Sequence, residues 1–309
     1  MNFGYISKLI REFQLAGTNE DVKCLDELMA YHDDVLLTDV RRVGNIMFYT
    51  HVLTAFLFDI TPLIIFGVEY IHSGGEKQID YTLPYGVWYP WDHRQPAMYA
   101  FTYAIQLLGS YVAITNFVVP DLILASVASL ANLNFGYISK RIREIQPKGN
   151  KEDIKCLGEL LAYHDDILHM IDEVNDVFSI SILLSYFGFS GMSCLIGVNV
   201  LTGTHIIEVL KYIVSILSIL LIMYYVSKIG TEMITASTDI SAALTDHAWY
   251  DGNKYYQRML PFPIARAQRP AVLKGYKFFV LSMESFQSVS LKQYLLLYGR
   301  SLSCLPTLF

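Results

Sequence analysis

The chain has 309 residues, 53% hydrophobic and only 17% charged, with a net charge of −6. Soluble domains run about 45–50% apolar and about 25% charged, so a sequence this poor in charge cannot cover a water-facing surface. The negative balance offers no basic face to neutralise phosphates, which argues against a nucleic-acid partner.

The opening residues, MNFGYISKLIREFQ, are charged and lack the apolar core of a cleavable signal peptide. Five later stretches are apolar for close to the roughly 20 residues that a bilayer-spanning helix needs. They lie near 46–68, 98–125, 177–201, 206–226 and 278–297, the last interrupted by Glu284, Gln287 and Lys292. The fold class expected is all-α, a polytopic helical membrane protein with about five spans and a cytoplasmic helical anchor region. Two domains are expected: a duplicated cytoplasmic segment, 1–43, and a transmembrane domain, 44–309.

Every Lys and Arg except Lys77, Arg94, Lys211, Lys292 and Arg300 falls within 1–43, 130–176 or 228–277. Basic residues favour cytoplasmic flanks. Threading five spans through these loops puts the N-terminus in the cytoplasm and the C-terminus outside. Between the first two spans, residues 70–97 carry Gly74-Gly75, Pro84-Tyr85-Gly86 and Trp88-Tyr89-Pro90-Trp91. Such aromatics read either as an interfacial belt or as a lid over a ligand site. Residues 134–176 read as two cytoplasmic helices broken at Pro147-Lys148-Gly149, the second with Ile154, Leu157, Leu160 and Leu161 near helical spacing.

Residues 2–36 return as 134–168 at a constant offset of 132, with 25 of 35 positions identical. Two copies are too few for a solenoid. The spans around the copies differ, unlike the repeats of a transporter. The pattern implies a chimera, in which a segment from a neighbouring paralogue is joined near residues 40–45 to the remainder of the chain.

No nucleophile elbow, phosphate loop, zincin motif or dinucleotide fingerprint occurs, so no enzyme is expected. Cys24, Cys156, Cys194 and Cys304 are isolated from one another and from histidines at ligand spacing, and no metal or cofactor is expected. Tyr163-His164-Asp165-Asp166 echoes Tyr31-His32-Asp33-Asp34. Adjacent helical residues point in different directions, so the element reads as a solvated helix face rather than a metal site. Within the spans, Asp59, Gln106, Asp121, Glu208 and Glu284 are costly in lipid and carry a functional expectation. Glu208 and Lys211 sit near a span end, where they can snorkel. Asp59, three residues before Pro62, either caps a kinked helix or faces a wet cavity. The aromatics Phe48, Tyr49, Phe56, Phe58, Tyr99, Phe101, Tyr103 and Tyr111 read mainly as packing, with some able to line an apolar pocket.

Near the C-terminus stand Ala242-Ala243, His247-Ala248-Trp249-Tyr250-Asp251-Gly252, Arg266-Ala267-Gln268-Arg269-Pro270, Gly275-Tyr276-Lys277-Phe278-Phe279 and Leu281-Ser282-Met283-Glu284-Ser285-Phe286. Earlier come Leu83-Pro84-Tyr85 with Trp88, Pro90, Trp91 and Asp92, and Tyr163-His164-Asp165-Asp166-Ile167-Leu168. Over roughly residues 37–289 these elements resemble the insect odorant receptors, a seven-span family with a cytoplasmic N-terminus. The resemblance implies that the five spans correspond to the family's third to seventh, the duplicated segment standing where the first two would be.

It further implies an odorant-gated, non-selective cation channel in the plasma membrane, assembled with a co-receptor as a heterotetramer. The small volatile odorant would bind among the outer halves of the spans, with Phe48, Tyr49, Phe56, Tyr70, Tyr99 and Tyr103 as candidate contacts. Phe286, Gln287 and Val289 would belong to the pore or gate, and His247, Trp249, Tyr250 and Arg269 to the subunit anchor. After Val289 the chain departs from the family, reading Ser290-Leu291-Lys292-Gln293-Tyr294 and ending SLSCLPTLF. A lysine in a cation pore repels cations. Two other readings stay open at this point, a non-functional truncated or mis-joined product and a small-molecule transporter.

Overall fold

Leu-, Ile- and Ala-rich runs favour helix, and in hydrocarbon a helix satisfies nearly all of its backbone polar groups internally, which carries the helices through Pro62 and Pro120. The computed structural model describes residues 21–72, 82–92, 94–147, 151–202 and 206–292. Four long helices dominate: α1 (Asp21–His72), α2 (Pro96–Glu144), α3 (Lys151–Thr202) and α4 (Ile206–Asp246). A short 3-10 turn at Trp249–Asp251 leads into α5 (Lys254–Met259) and α6 (Pro261–Ala267). A small antiparallel hairpin, β1 (Lys274–Gly275) with β2 (Phe279–Val280), precedes helical turns at 283–292.

Among the described residues, four helical segments are long and apolar enough to cross a membrane: Gly44–His72, Pro96–Glu144, Lys151–Leu201 and Ile206–Asp246. They contain the first four expected spans. α2, with 49 residues, is about 73 Å long at 1.5 Å per residue, more than twice the roughly 30 Å hydrocarbon thickness. The expected cytoplasmic helices are therefore not separate elements. The first is the end of α2 and the second the start of α3, with the break at Pro147 where it was expected. α1 likewise passes through residues 43–44 without interruption. The fifth expected span does not start at Phe278, because that apolar run is the second strand of the hairpin. Helix begins only at Met283, and the stretch beyond Lys292 lies outside the described residues.

The chain divides into two compact units. One is drawn from Met1–Arg42, Leu124–Leu183 and Val226–Ser285, the other from Val43–Ile123, Leu184–Tyr225 and Phe286–Phe309.

In the first unit, Phe135, Ile138 and Ile142 of α2, Leu157 and Ile167 of α3, and Met233, Ile240 and Leu244 of α4 are fully buried. Their three- and four-residue spacing lays one apolar stripe per helix toward a shared core. Polar ties fasten it. Arg143 grips Asp239 with two N–H donors, at 2.8 and 3.0 Å, and Ser139 donates to the same carboxylate. The Tyr163 hydroxyl donates to Asn134 Oδ1 at 2.9 Å, and His164 is buried edge-on to Phe135 at 5.9 Å. The element expected on a solvated face is thus divided: Tyr163 and His164 turn inward while Asp165 and Asp166 stay exposed, because adjacent helical residues diverge by about 100°.

The segment after Pro270 is held by side chains borrowed from the helices. Asn175 donates to Val272 O and accepts from Lys274 N, both at 2.8 Å. Ser237 accepts from Ala271 N at 3.0 Å, and Thr231 accepts from Met283 N at 2.8 Å. Gly230 leaves room for Leu281: a Cβ there would lie 2.2 Å from the Leu281 carbonyl oxygen. Tyr276, at φ 54°, turns the hairpin in the left-handed region.

In the second unit, Leu53, Phe56, Leu63, Leu108, Leu184, Leu195 and Leu217 are exposed. An apolar surface of that extent suits lipid tails rather than water. Thr54 and Ser218 share a hydrogen bond of 3.1 Å between α1 and α4.

Candidate functional site

Pro62 inside α1 has no N–H to give to the preceding turn, which leaves that turn's carbonyls open to other donors. The Tyr103 hydroxyl of α2 donates to the Asp59 carbonyl, and the Thr61 hydroxyl to that of Leu57. The carbonyl that Pro62 itself leaves without a donor is that of Phe58, and these bonds go to the carbonyls on either side of it. Together they fix where α1 presents the Asp59 carboxylate and the Phe58 ring.

On α2, Tyr99, Thr102, Tyr103, Gln106 and Ser110 recur every three or four residues and so share a face. Pro96 starts that helix, where a missing N–H costs nothing. The loop before it cannot be helical, since Pro84, Gly86 and Pro90 punctuate it. Instead Val87 N closes a tight turn on Tyr85 O at 2.9 Å. Gln106, 6% exposed, clamps this loop from both sides of its amide. Its Oε1 accepts from Tyr85 N at 3.1 Å, and its Nε2 donates to Tyr85 O and to the Tyr89 hydroxyl, both at 3.0 Å. Trp91 Nε1 donates to the buried Thr102 hydroxyl at 2.9 Å, and the Tyr99 hydroxyl to Thr82 O at 2.9 Å.

The Ser110 hydroxyl lies 3.1 Å from both Asp59 Oδ1 and the Tyr85 hydroxyl. Burial pushes the Tyr85 phenol above its ordinary range, the Asp59 charge adds to the shift, and the Ser110 hydrogen bond opposes it. The phenol therefore remains a donor. The Phe58 ring stacks on Tyr85 at 5.8 Å and meets Tyr212 of α4 edge-on at 5.8 Å. Lys211 Nζ stands 4.7 Å from the centroids of both Phe58 and Tyr212. An aromatic and aliphatic surface with a few fixed polar groups is the usual make-up of a small-molecule site.

Of the six residues expected to contact ligand, Tyr99 and Tyr103 stand in this cluster, their rings 5.7 Å apart. Phe48, Tyr49, Phe56 and Tyr70 are exposed along α1, with Phe48 packed edge-on to Tyr49 and Phe66 beside Tyr70. Tyr85, Lys211 and Tyr212 join the cluster without having been among those six. Asp59 and Gln106 had a legible signal, being polar within apolar runs. Of the expected anchor residues, His247 is buried and shares a 2.9 Å hydrogen bond with the Tyr256 hydroxyl, while Trp249, Tyr250 and Arg269 are exposed. Burial holds His247 below the ordinary histidine range and pushes Tyr256 up to about 12. Phe286 packs edge-on to Tyr224 at 6.2 Å, Val289 is half-buried and Gln287 exposed. Among the described residues, no cluster of His, Cys, Asp and Glu is arranged to hold a metal.

The sequence matches the 7tm Odorant receptor family over residues 6–291. The chain belongs to that family. It is thus a multi-pass membrane protein of a receptor family, and not an enzyme. Among relatives, Odorant receptor 67a of Drosophila melanogaster is 29% identical over 246 residues, covering 77% of this chain and 58% of its own length. Putative odorant receptor 85d of the same species is 25% identical over 211 residues, covering 68% of this chain. The chain spans 51% and 58% of the length of these two relatives. The insect olfactory receptor OR5 from Machilis hrabei, solved in complex with eugenol, shares the receptor's fold. Its TM-score is 0.70 at 15% identity, covering 89% of this chain and 70% of that one.

Proposed function

We propose that the receptor is an odorant-gated, non-selective cation channel subunit that works with a co-receptor, as a heterotetramer, in the plasma membrane. The observation that carries the ligand half of this reading is the cluster of Phe58, Asp59, Tyr85, Tyr103, Gln106 and Ser110. It is an apolar, aromatic surface whose polar groups are held in place by one another. The eugenol bound by the Machilis receptor is a small aromatic molecule of the kind such a surface suits. The basic loops support a cytoplasmic N-terminus and, over five spans, an extracellular C-terminus. In this reading Phe286, Gln287 and Val289 belong to the pore, and the exposed Trp249, Tyr250 and Arg269 meet another subunit. The ligand favours the open state by binding it more tightly than the closed one.

The test is current from cells expressing the chain with an insect co-receptor, challenged with a mixed odorant panel. Current above that of the co-receptor alone supports the reading. A chain that reaches the surface yet adds no current contradicts it.

The repeat of 2–36 at 134–168 favours a second reading, a mis-joined product without activity. Transcripts running continuously through the codons of residues 40–45 would sink it.

A further inference from the structure

We propose that the turn of the hairpin, Tyr276-Lys277-Phe278, is a foot set in the headgroup layer of the bilayer, its partner being a zwitterionic lipid surface. Two helices fix its height independently. After Asp172, Glu173 and Asp176 on α3, the chain carries no Asp, Glu, Lys or Arg until Glu208, and α4 carries none between Lys211 and Lys228. Hydrocarbon admits such runs and disfavours their charged flanks, so the water boundary crosses α3 near Asp176 and α4 near Lys228. The hairpin segment is fastened at these two levels. Asn175 holds Val272 O and Lys274 N, Leu281 lies against Gly230, and Thr231 holds Met283 N. Val177 and Ile180, just inside the boundary on α3, are exposed and suit lipid tails.

The turn is strained, and its own contacts do not explain why. Phe278 N donates to Gly275 O at 3.2 Å, which makes Tyr276 the first central residue of the turn. At φ 54° it stands where glycine ordinarily does, and a bulky side chain there is an outlier. Strain of this kind persists where the surroundings hold it. Yet neither ring is buried in the chain: Tyr276 is 46% and Phe278 71% exposed. The two rings lie 6.3 Å apart, with Lys277 Nζ 5.8 Å from the Tyr276 centroid. Rings with a phenol or an ammonium at their edge suit the interface, where apolar body and polar tip each meet a matching layer. The nearby charges choose the lipid. Exposed Lys274 and Lys277 face a surplus of exposed acids, Asp172, Glu173 and Asp176 around Asn175 and Glu284 after Met283. Lys228 and Glu232 pair with each other at 3.5 Å. This balance does not attract an anionic lipid, a nucleic acid or an acidic peptide, whereas a zwitterionic headgroup brings both signs.

The test is independent of channel activity. Phe278→p-benzoylphenylalanine and, separately, Tyr276→p-benzoylphenylalanine, each in the full chain in phosphatidylcholine nanodiscs, are irradiated and digested for mass spectrometry. The excited ketone couples to a C–H group of whatever lies against it. Ile180→p-benzoylphenylalanine is the control inside the span. Tyr255→p-benzoylphenylalanine is the control in water, because α4 rises about 27 Å from Lys228 to Asp246 before His247 meets Tyr256. Expected are phosphatidylcholine adducts at 276 and 278, as at 180, and none at 255. Absence of lipid adducts at both turn positions while 180 is labelled, or crosslinks there to protein instead, overturns the proposal. A yield that rises when phosphatidylserine is added overturns the assignment to a zwitterionic surface.

Discussion

Gln106 shows how one polar side chain in an apolar helix acquires a role. Its amide meets both the N–H and the C=O of Tyr85, a task that leucine at that position cannot perform. Gln106→Leu strands two backbone groups and should cost about 1–3 kcal/mol. The measurable sign is faster hydrogen exchange over residues 82–92, with exchange around Asn175 unchanged. His247 gives a pH dependence whose direction follows from its burial. The folded protein holds this imidazole neutral, below the ordinary histidine range, while the unfolded chain takes up a proton near pH 6.5. Its contribution is therefore fully present above about pH 6.5 and is lost as pH falls below that value. The melting temperature should drop between pH 7.5 and pH 5.5, and His247→Phe should lessen the drop. At this scale the sequence was partly legible. Asp59 and Gln106 announced themselves as costly in lipid, but Tyr85 and Tyr212 look like any interfacial or packing tyrosine. Their place beside Phe58 depends on which helices adjoin, which no local pattern encodes.

At the scale of elements, apolar runs located the first four spans, and Pro147 marked a true helix break. They did not reveal that α2 continues from Ser126 to Glu144. The change from apolar to polar side chains ends lipid contact, not the backbone hydrogen-bond ladder, and nothing between those residues breaks a helix. The hairpin was hidden for a related reason. Phe278, Phe279, Val280 and Leu281 are as apolar as a span, but Gly275 admits the Phe279 ring at a position where a Cβ would stand 2.4 Å from it. The chain doubles back there instead of entering a helix. Gly230 in α4 provides the corresponding test. Gly230→Ala would drive a methyl into the Leu281 carbonyl, and overpacking of this kind costs about 1–3 kcal/mol or more. A lower melting temperature, or retention of the variant inside the cell, is the expected result. Gly136, with nothing near its absent Cβ, should accept alanine in the same assay.

For the whole molecule, the family was legible from motifs that the structure shows to be structural joints. The His247–Gly252 element ends where Gly252 admits the Tyr256 ring, and Asn253 caps α5 by accepting from Tyr256 N at 2.8 Å. The second copy of the repeat supplies Phe135, Ile138, Ile142, Leu157 and Ile167 to the first unit's core. The first copy, at 2–36, lies largely outside the described residues. In the channel reading, Lys292, exposed on the last helical turns, stands in the path of cations. Lys292→Ser should then raise the odorant-evoked current through assemblies with the co-receptor, measured at equal surface expression. A current unchanged by that substitution would place Lys292 away from the conducting path.

The borrowed anchors of the hairpin segment also set an order of events during synthesis. Thr231, Ser237 and Asn175 leave the ribosome before the residues they hold, Ala271 to Met283, and wait without these partners until that segment arrives. Closure of the first unit is therefore a late, long-range step, of the slow kind that leaves intermediates exposed to aggregation and quality control. A nascent chain arrested shortly after Pro270 should be recognised as unfinished, whereas one arrested beyond Met283, with that stretch clear of the exit tunnel, should already have closed.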